Sequence, residues 1–282
     1  MNNLEDVKSI ISATYENRAD LDLVHPDAQL LGILDEVLLG LEQGHCAATF
    51  YDLAHHEWRS NLWVKQAILL YFLLHQNTPM PGGFTRFYDK IPLRFSDHTA
   101  ADFADLKIRV VPPATVRRGT YIAPGSILMP SFINIGAHIG AGSMVDSWVT
   151  VGSCAHIGKH VHLSMNVGIG GVLEPLQHKA TIIEDHCFIG AGAQIVEGVI
   201  VGQGSVISMG VCIGQSTPIY DRESQKIYYG QVPAHSVVVA GTLPRSEGSY
   251  HLQAAIIVKK VDSRTREKTS INAILRDALM TA

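Results

Sequence analysis

Charge is scarce in this chain: 17% of its 282 residues are Asp, Glu, Lys or Arg, against 46% apolar residues. The 22 basic and 26 acidic side chains leave a formal charge of −4. That argues against nucleic acid as a partner, because phosphate binding needs a basic face. Long apolar runs are missing as well. None approaches the roughly 20 residues of a membrane span, so no membrane partner is expected. Cysteine is limited to Cys46, Cys154, Cys187 and Cys212, with no C-x-x-C pair, and a reducing cytoplasm is the simplest compartment. The first residues, MNNLEDVKSI, are acidic and amphipathic and do not read as a secretory leader. Glycine pairs occur at Gly140/Gly142, Gly190/Gly192 and Gly202/Gly204, yet the third glycine of a dinucleotide fingerprint is replaced by Val145, Ile195 and Ile207. No lysine follows these loops as a phosphate loop requires, so a nucleotide fold is excluded.

What the chain does have is a period of six. Ile127, Ile133, Ile139, Val145, Val151, Ile157, Leu163 and Ile169 fall six apart, and Ile183, Ile189, Ile195, Val201, Ile207, Ile213 and Ile219 resume the series. Six fits neither the 3.6-residue helix nor the two-residue strand repeat. It fits a chain that turns a corner every six residues and points one aliphatic side chain inward from each short strand. The fold expected is therefore mainly β, a parallel β-helix of hexapeptide repeats in which each coil depends on its neighbours for a core. Small residues at Ser131, Ala137, Ser143, Ala155, Ala193 and Ser205 suit the second inward position. Gly140, Gly152, Gly158, Gly170, Gly190, Gly202 and Gly214, each directly after an aliphatic, suggest corners that need positive φ.

The chain reads as three parts: an α-helical domain over 1–108, the β-helix over 109–240 and a strand-plus-helix extension over 241–282. Helical spacing covers 3–18, 26–43 and 62–76, with a hairpin arm or loop near Tyr51–Arg59. The extension holds an apolar strand, Ala254–Val258, and a helix around Ser270–Leu279. The repeat breaks twice. Fourteen residues separate Ile169 from Ile183, where twelve would keep phase, which predicts a two-residue bulge around Glu174–Ala180. A second loop, Pro218–Gly230, precedes Val232 and Val238. Loops ejected from a solenoid commonly carry binding residues, so both are expected to border a site.

Several side chains carry possible chemistry. His156 and His162, six apart, raise a metal reading of the γ-class carbonic anhydrase kind, but both precede an aliphatic and read as a solvated row, so no metal is expected. Asp146 stands where other hexads place glycine, and a turn aspartate is commonly structural. Arg109 sits at the entry to the prism, where a domain-interface ion pair is the ordinary role. Cys154 lacks a helix N-terminus to activate its thiol.

The strings Arg109-Val110-Val111-Pro112-Pro113, Met144-Val145-Asp146-Ser147-Trp148 and Val151-Gly152-Ser153-Cys154-Ala155 resemble the tetrahydrodipicolinate N-succinyltransferase family. So do Gly168 to Gln177 (GIGGVLEPLQ), Thr181 to Asp185, Val206 to Gly210 and Val258 to Asp262. The resemblance runs from about Trp63 to Arg276. It implies a left-handed coil, a homotrimer, and acyl-CoA bound between neighbouring prisms as a co-substrate, with no permanently held cofactor. It also implies acyl transfer to an amino-dicarboxylate in lysine and diaminopimelate biosynthesis. Carried onto this chain, it makes Arg109 and Asp146 the acceptor-binding residues and Asp146 the catalytic carboxylate. Lys259 and Lys260 become candidates for the CoA phosphates.

Departures from the family pattern are specific. Gly190-Ala191-Gly192-Ala193-Gln194 stands where the family reads G-A-R-S-E, so an arginine becomes Gly192 and a catalytic glutamate becomes Gln194, which cannot act as a base. Ser164-Met165-Asn166 replaces S-G-G, adding bulk beside the acyl site. Met165, Asn166 and Gly192 thereby define the expected acyl pocket. The family favours succinyl-CoA as donor. The substitutions favour acetyl-CoA, in a specialised pathway resembling tabtoxin biosynthesis, because a buried terminal carboxylate needs a counter-charge. A non-catalytic trimeric scaffold is the reading from another class.

Overall fold

A computed structural model describes residues 4–83, 85–176, 179–244 and 248–262. Three helices open the chain: α1 (Leu4–Glu16), α2 (Ala28–Glu42) and α3 (Leu62–Leu74). In α2 the residues Leu30, Leu34, Val37, Leu38 and Leu41 fall on one stripe and are buried, and Asp27 caps its start by accepting the Gln29 N–H. α3 is apolar on almost every side and packs between the other helices and the prism. The expected arm is a two-stranded antiparallel hairpin, Thr49–Asp52 with Glu57–Ser60. A second hairpin (Thr78–Pro81 with Arg86–Asp89) and α4 (Ala100–Leu106), closed by a Thr99/Asp102 capping box, were not marked by apolar periodicity.

From Arg109 onward, two-residue strands stack in parallel on three faces. The first face carries Arg109–Val110, Ile127–Leu128, Met144–Val145, His162–Leu163, Phe188–Ile189 and Val206–Ile207, followed by the long strand Ser236–Pro244. The second carries Thr115–Val116, Phe132–Ile133, Thr150–Val151, Gly168–Ile169, Gln194–Ile195 and Cys212–Ile213. The third carries Tyr121–Ile122, His138–Ile139, His156–Ile157, Ile182–Ile183, Ile200–Val201 and Gln231–Val232. The second residue of each of these pairs, apart from the half-buried Val110 at the entry, belongs to one continuous core from Val116 to Val232, joined by Val238 from the long strand. This is the expected β-helix. The core of the helical part is a separate cluster, to which the prism contributes Ile135 and Cys154 among the described buried residues.

Four details differ from expectation. The inward residue of its rung is Leu128, which stacks under Val145, while Ile127 pairs with Met144. Both are aliphatic, so periodicity alone picks the wrong one. The series also begins earlier, at Val116 and Ile122. The first interruption leaves the second face at Ile169 and lands on the third at Ile183, a step that takes six residues at Val151 to Ile157. Eight residues are therefore ejected, not two. Ile219 is buried but leaves the prism and pairs with Ala255.

The glycines after the aliphatics have a different cause from the one expected. Gly140, Gly152, Gly158, Gly170, Gly190, Gly202 and Gly214 do not have positive φ. A Cβ on Gly140 would fall 2.7 Å from the Lys159 N, and one on Gly152 would fall 2.8 Å from the Gly170 carbonyl carbon. Close approach of adjacent coils requires them. The left-handed residues come at the turns, among them Trp148, Cys154, Asn166 and Gly192.

The C-terminal strand is longer than expected: His251–Lys260 pairs antiparallel with Ser236–Pro244 as a hairpin that extends the first face. The helix expected around Ser270–Leu279 lies outside the described residues.

Candidate active site

Asp146 follows the inward Val145 at the corner between the first and second faces. Its backbone N–H donates to the Leu163 carbonyl of the next coil at 2.9 Å. Its side chain is about one-third exposed, and Oδ1 accepts the Ser147 N–H at 2.7 Å. One carboxylate oxygen is thus fixed by the turn, and Oδ2 remains for other partners. His162 Nε2 lies 4.0 Å from Oδ2. The sequence reading placed His162 in a solvated row with His156. It is in fact buried on the first face, one coil above Met144 and stacked on Phe188 at 5.1 Å. Register would have found it, since successive rungs of this face are eighteen residues apart here.

The acyl-pocket candidates Met165, Asn166 and Gly192 share that corner. The Asn166 N–H donates to the Ser147 carbonyl at 3.0 Å, and the Gly192 N–H donates to the Met165 carbonyl at 2.9 Å, so three successive coils align. Asn166 (φ +60°) and Gly192 (φ +70°) adopt the left-handed turn. Met165 is 49% exposed, and a Cβ on Gly192 would meet nothing within 4 Å. Gln194 lies exposed on the second face, and its amide Nε2 approaches the Asn166 carbonyl at 3.4 Å. It bends back over Gly168, which has no side chain to obstruct it. Trp148, Met165 and Met209 make an exposed apolar ridge along the same edge.

Arg109 and the lysines lie at opposite ends of this strip. Arg109 is exposed on the first rung of the first face, two rungs from Met144, or about 10 Å at ordinary strand spacing. Lys259 pairs with Val237 on the next strand out, which places it five strands beyond Met144, about 24 Å away. Lys259 Nζ bonds Asp262 at 2.6 Å, and Lys260 Nζ reaches Ser236 Oγ at 3.3 Å. Within one chain, Arg109, Asp146 and the lysines are not in contact; they mark points along one edge.

In its described residues, 170–176 and 179–181, the interruption sits at the corner between the second and third faces, not at this one. It leaves the prism where the helices pack: Leu173 joins the helical cluster, and the fully buried Lys65 donates to the Leu176 carbonyl at 3.3 Å. Cys154, beside Lys65, is a buried thiol pushed up by desolvation to about 12, which fits an inert role.

The histidines belong to separate environments. His156 stacks on His138 at 4.4 Å, Tyr121 lies on the far side of His138, and Trp58 of the first hairpin covers His156 at 4.6 Å while its Nε1–H donates to Glu184 at 2.8 Å. This column stands on the third face, away from His162 on the first, so the two histidines of the metal reading do not converge. Burial pushes His138 down to about 4 and His156 in the same direction.

Comparison with known proteins accounts for nearly the whole chain. Residues 6–74 match the family described as tetrahydrodipicolinate N-succinyltransferase N-terminal, and residues 180–215 match the hexapeptide repeat of succinyl-transferase. The chain is 56% identical over 272 residues to a 2,3,4,5-tetrahydropyridine-2,6-dicarboxylate N-succinyltransferase of Polynucleobacter asymbioticus, covering 96% of this chain and 98% of that one. It is 54% identical to the protein of the same name from Thioalkalivibrio sulfidiphilus, covering 97% and 100%. A Campylobacter jejuni structure, provisionally described as a 2,3,4,5-tetrahydropyridine-2-carboxylate N-succinyltransferase, superposes with a TM-score of 0.54 at 17% identity. It covers 79% of this chain and 62% of that one and supports the fold. On identity above one-half across nearly the full length of both sequences, the chain belongs to the tetrahydrodipicolinate N-succinyltransferase family.

Proposed function

We infer that the protein is an acyl-CoA-dependent N-acyltransferase that moves a succinyl group onto the amine of an amino-dicarboxylate derived from tetrahydrodipicolinate. The observation that carries this reading is the full-length similarity to proteins of that name, with Asp146 held at an open corner of the prism. The relatives' named substrate is a cyclic imine. Water adds across its C=N bond to give a cyclic hemiaminal, and breaking that carbon's bond to nitrogen opens the ring to a ketone and frees the amine that attacks.

The chemistry follows from the strip. Arg109 clamps an acceptor carboxylate, a task suited to a bidentate guanidinium. Asp146 orients the amine and takes its proton as nitrogen bonds the thioester carbon and the C–S bond breaks, releasing CoA thiol. A long donor lying along the edge brings its phosphates toward Lys259 and Lys260 and its acyl end toward Met165, Asn166 and Gly192. Gln194 contributes hydrogen bonds there, not a base. The exposed ridge of Trp148, Met165 and Met209 supports a homotrimer in which a second copy covers this edge. The location proposed is cytoplasmic; no described helix is long and apolar enough to cross a membrane.

A second reading, acetyl in place of succinyl, is favoured by one feature: the Gly192–Gln194 turn offers space and an amide but no cation. Replacing Asp146 with asparagine tests whether the site is catalytic at all. Turnover should fall at least a hundredfold while the oligomer persists. Undiminished turnover would remove Asp146 from the mechanism, and a wild-type protein without turnover would point to a scaffold.

A further inference from the structure

The outward column of the first face is apolar along most of its length: Ile127, Met144, Phe188 and Val206 occupy successive rungs, and His162 interrupts them. An imidazole in such a column costs desolvation that a phenylalanine would not. Packing alone does not explain it, because Phe188 on the next rung serves that purpose with its ring parallel within 9°. The feature distinguishing His162 is its Nε2 edge, 4.0 Å from Asp146 Oδ2. That is too long for a direct hydrogen bond and within ion-pairing range.

We propose that His162 is a positioning residue for Asp146, its Nε2 edge holding the free oxygen of that carboxylate where it meets the amine proton. This rests on the acyl-transfer reading above. The two carboxylate oxygens have separate jobs. Oδ1 is occupied by the Ser147 N–H at 2.7 Å, which leaves Oδ2 to face both the imidazole and the substrate. In the transfer step the amine proton goes to Oδ2, nitrogen bonds the carbonyl carbon, and sulfur leaves with the C–S electron pair. His162 takes no part in those bonds.

The surrounding charges are consistent with this pairing. Met144 and Phe188, on either side of His162, carry none. Arg109 lies two rungs beyond Met144 on the same face. Lys159 and His160 belong to the turn before the His162 strand, and Asp185 and His186 to the turn before Phe188, at the corner where His160 and His186 stack at 5.2 Å. That corner is at the far edge of the face from Asp146.

The test uses the full-length protein with two substitutions. His162→Phe keeps the ring stack and removes Nε2; His162→Gln keeps a donor. Two quantities are read: the position of the Asp146 carboxylate in crystal structures of the parent and both variants, and kcat and KM with both substrates. Expected are an Asp146 carboxylate turned away from its parent position in His162→Phe and kcat lowered about tenfold or more with KM little changed. Recovery of the parent carboxylate position and of most of kcat in His162→Gln is also expected. An Asp146 carboxylate unmoved in His162→Phe overturns the inference whether or not the protein transfers acyl groups. Equal loss of kcat in both variants overturns it too. A displaced carboxylate in a protein that shows no transfer supports the inference and counts against the functional reading instead.

Discussion

Substituting Gly152 and Gly210 by alanine separates two reasons for glycine that look alike in the sequence. At Gly152, an added Cβ would press into the neighbouring coil: its nearest atoms are the backbone of Gly171 and the Gly170 carbonyl carbon at 2.8 Å. None of these is a flexible side-chain end that can swing aside. Relief requires the coils to part, which loosens the ladder bonds from the Gly152 N–H to the Ile169 carbonyl (2.8 Å) and from the Val172 N–H to the Ser153 carbonyl (3.1 Å). Overpacking of this kind costs about 3 kcal/mol or more. At Gly210 the opposite holds. Its φ is +70°, and a Cβ would meet nothing within 4 Å. The cost there is the left-handed backbone penalty alone, about 1 kcal/mol. Thermal unfolding at fixed protein concentration reads both, at roughly 2–4 °C per kcal/mol for a chain approaching this size. Gly152→Ala should lower the midpoint by about 6–12 °C and Gly210→Ala by about 2–4 °C. Equal shifts, or a Gly152 variant as stable as the parent, would refute the close-approach argument.

Further outcomes follow from burial. Cys154 and Cys187 are buried and pushed up to about 12, and Cys46, partly exposed like Cys212, is pushed up to about 11, all by desolvation, which leaves Cys212. One thiol per native chain should therefore react quickly with an aromatic disulfide reagent near pH 8, and two or more fast thiols would contradict this packing. His138 is held neutral, its value lowered from 6.5 to about 4. The unfolded chain takes up that proton first, so this contribution to stability is complete above about pH 6.5 and is lost as the pH falls toward 4. The full loss is about 3 kcal/mol. Urea midpoints measured at pH 7 and pH 4.5 should differ less in His138→Gln than in the parent, and an unchanged difference would count against the buried stack.

Much of the fold was legible because the prism is built from a repeating local event. Each inward aliphatic, from Ile133 to Ile213, is buried for the same reason, and the sixfold spacing states that reason repeatedly. What the sequence hid were matters decided by neighbouring coils. Ile127 and Leu128 are equivalent in hydropathy, and only stacking under Val145 chooses between them. The glycines after each aliphatic announce themselves as turn residues, yet contact with the next coil selects them. The interruption after Ile169 could be counted, but its exit toward α3 depends on Lys65 donating to the Leu176 carbonyl and on Leu173 packing against the helical cluster. His156 and His162 looked alike because each precedes an aliphatic; Trp58 covers one, and the other lies beside Asp146. The corner that gathers Asp146, Met165, Asn166, Gly192 and Gln194 was readable as a set of family positions, while the pairing with His162 required the register.

The account stands most directly on a comparison of two donors. Purified protein is supplied with tetrahydrodipicolinate and either succinyl-CoA or acetyl-CoA, and thiol release is followed alongside the mass of the acylated product. Succinyl transfer with the larger kcat/KM, lost in Asp146→Asn, is the predicted result. Faster transfer from acetyl-CoA would move the cargo to the smaller acyl group, and no acceptor-dependent thiol release from either donor would contradict the account as a whole.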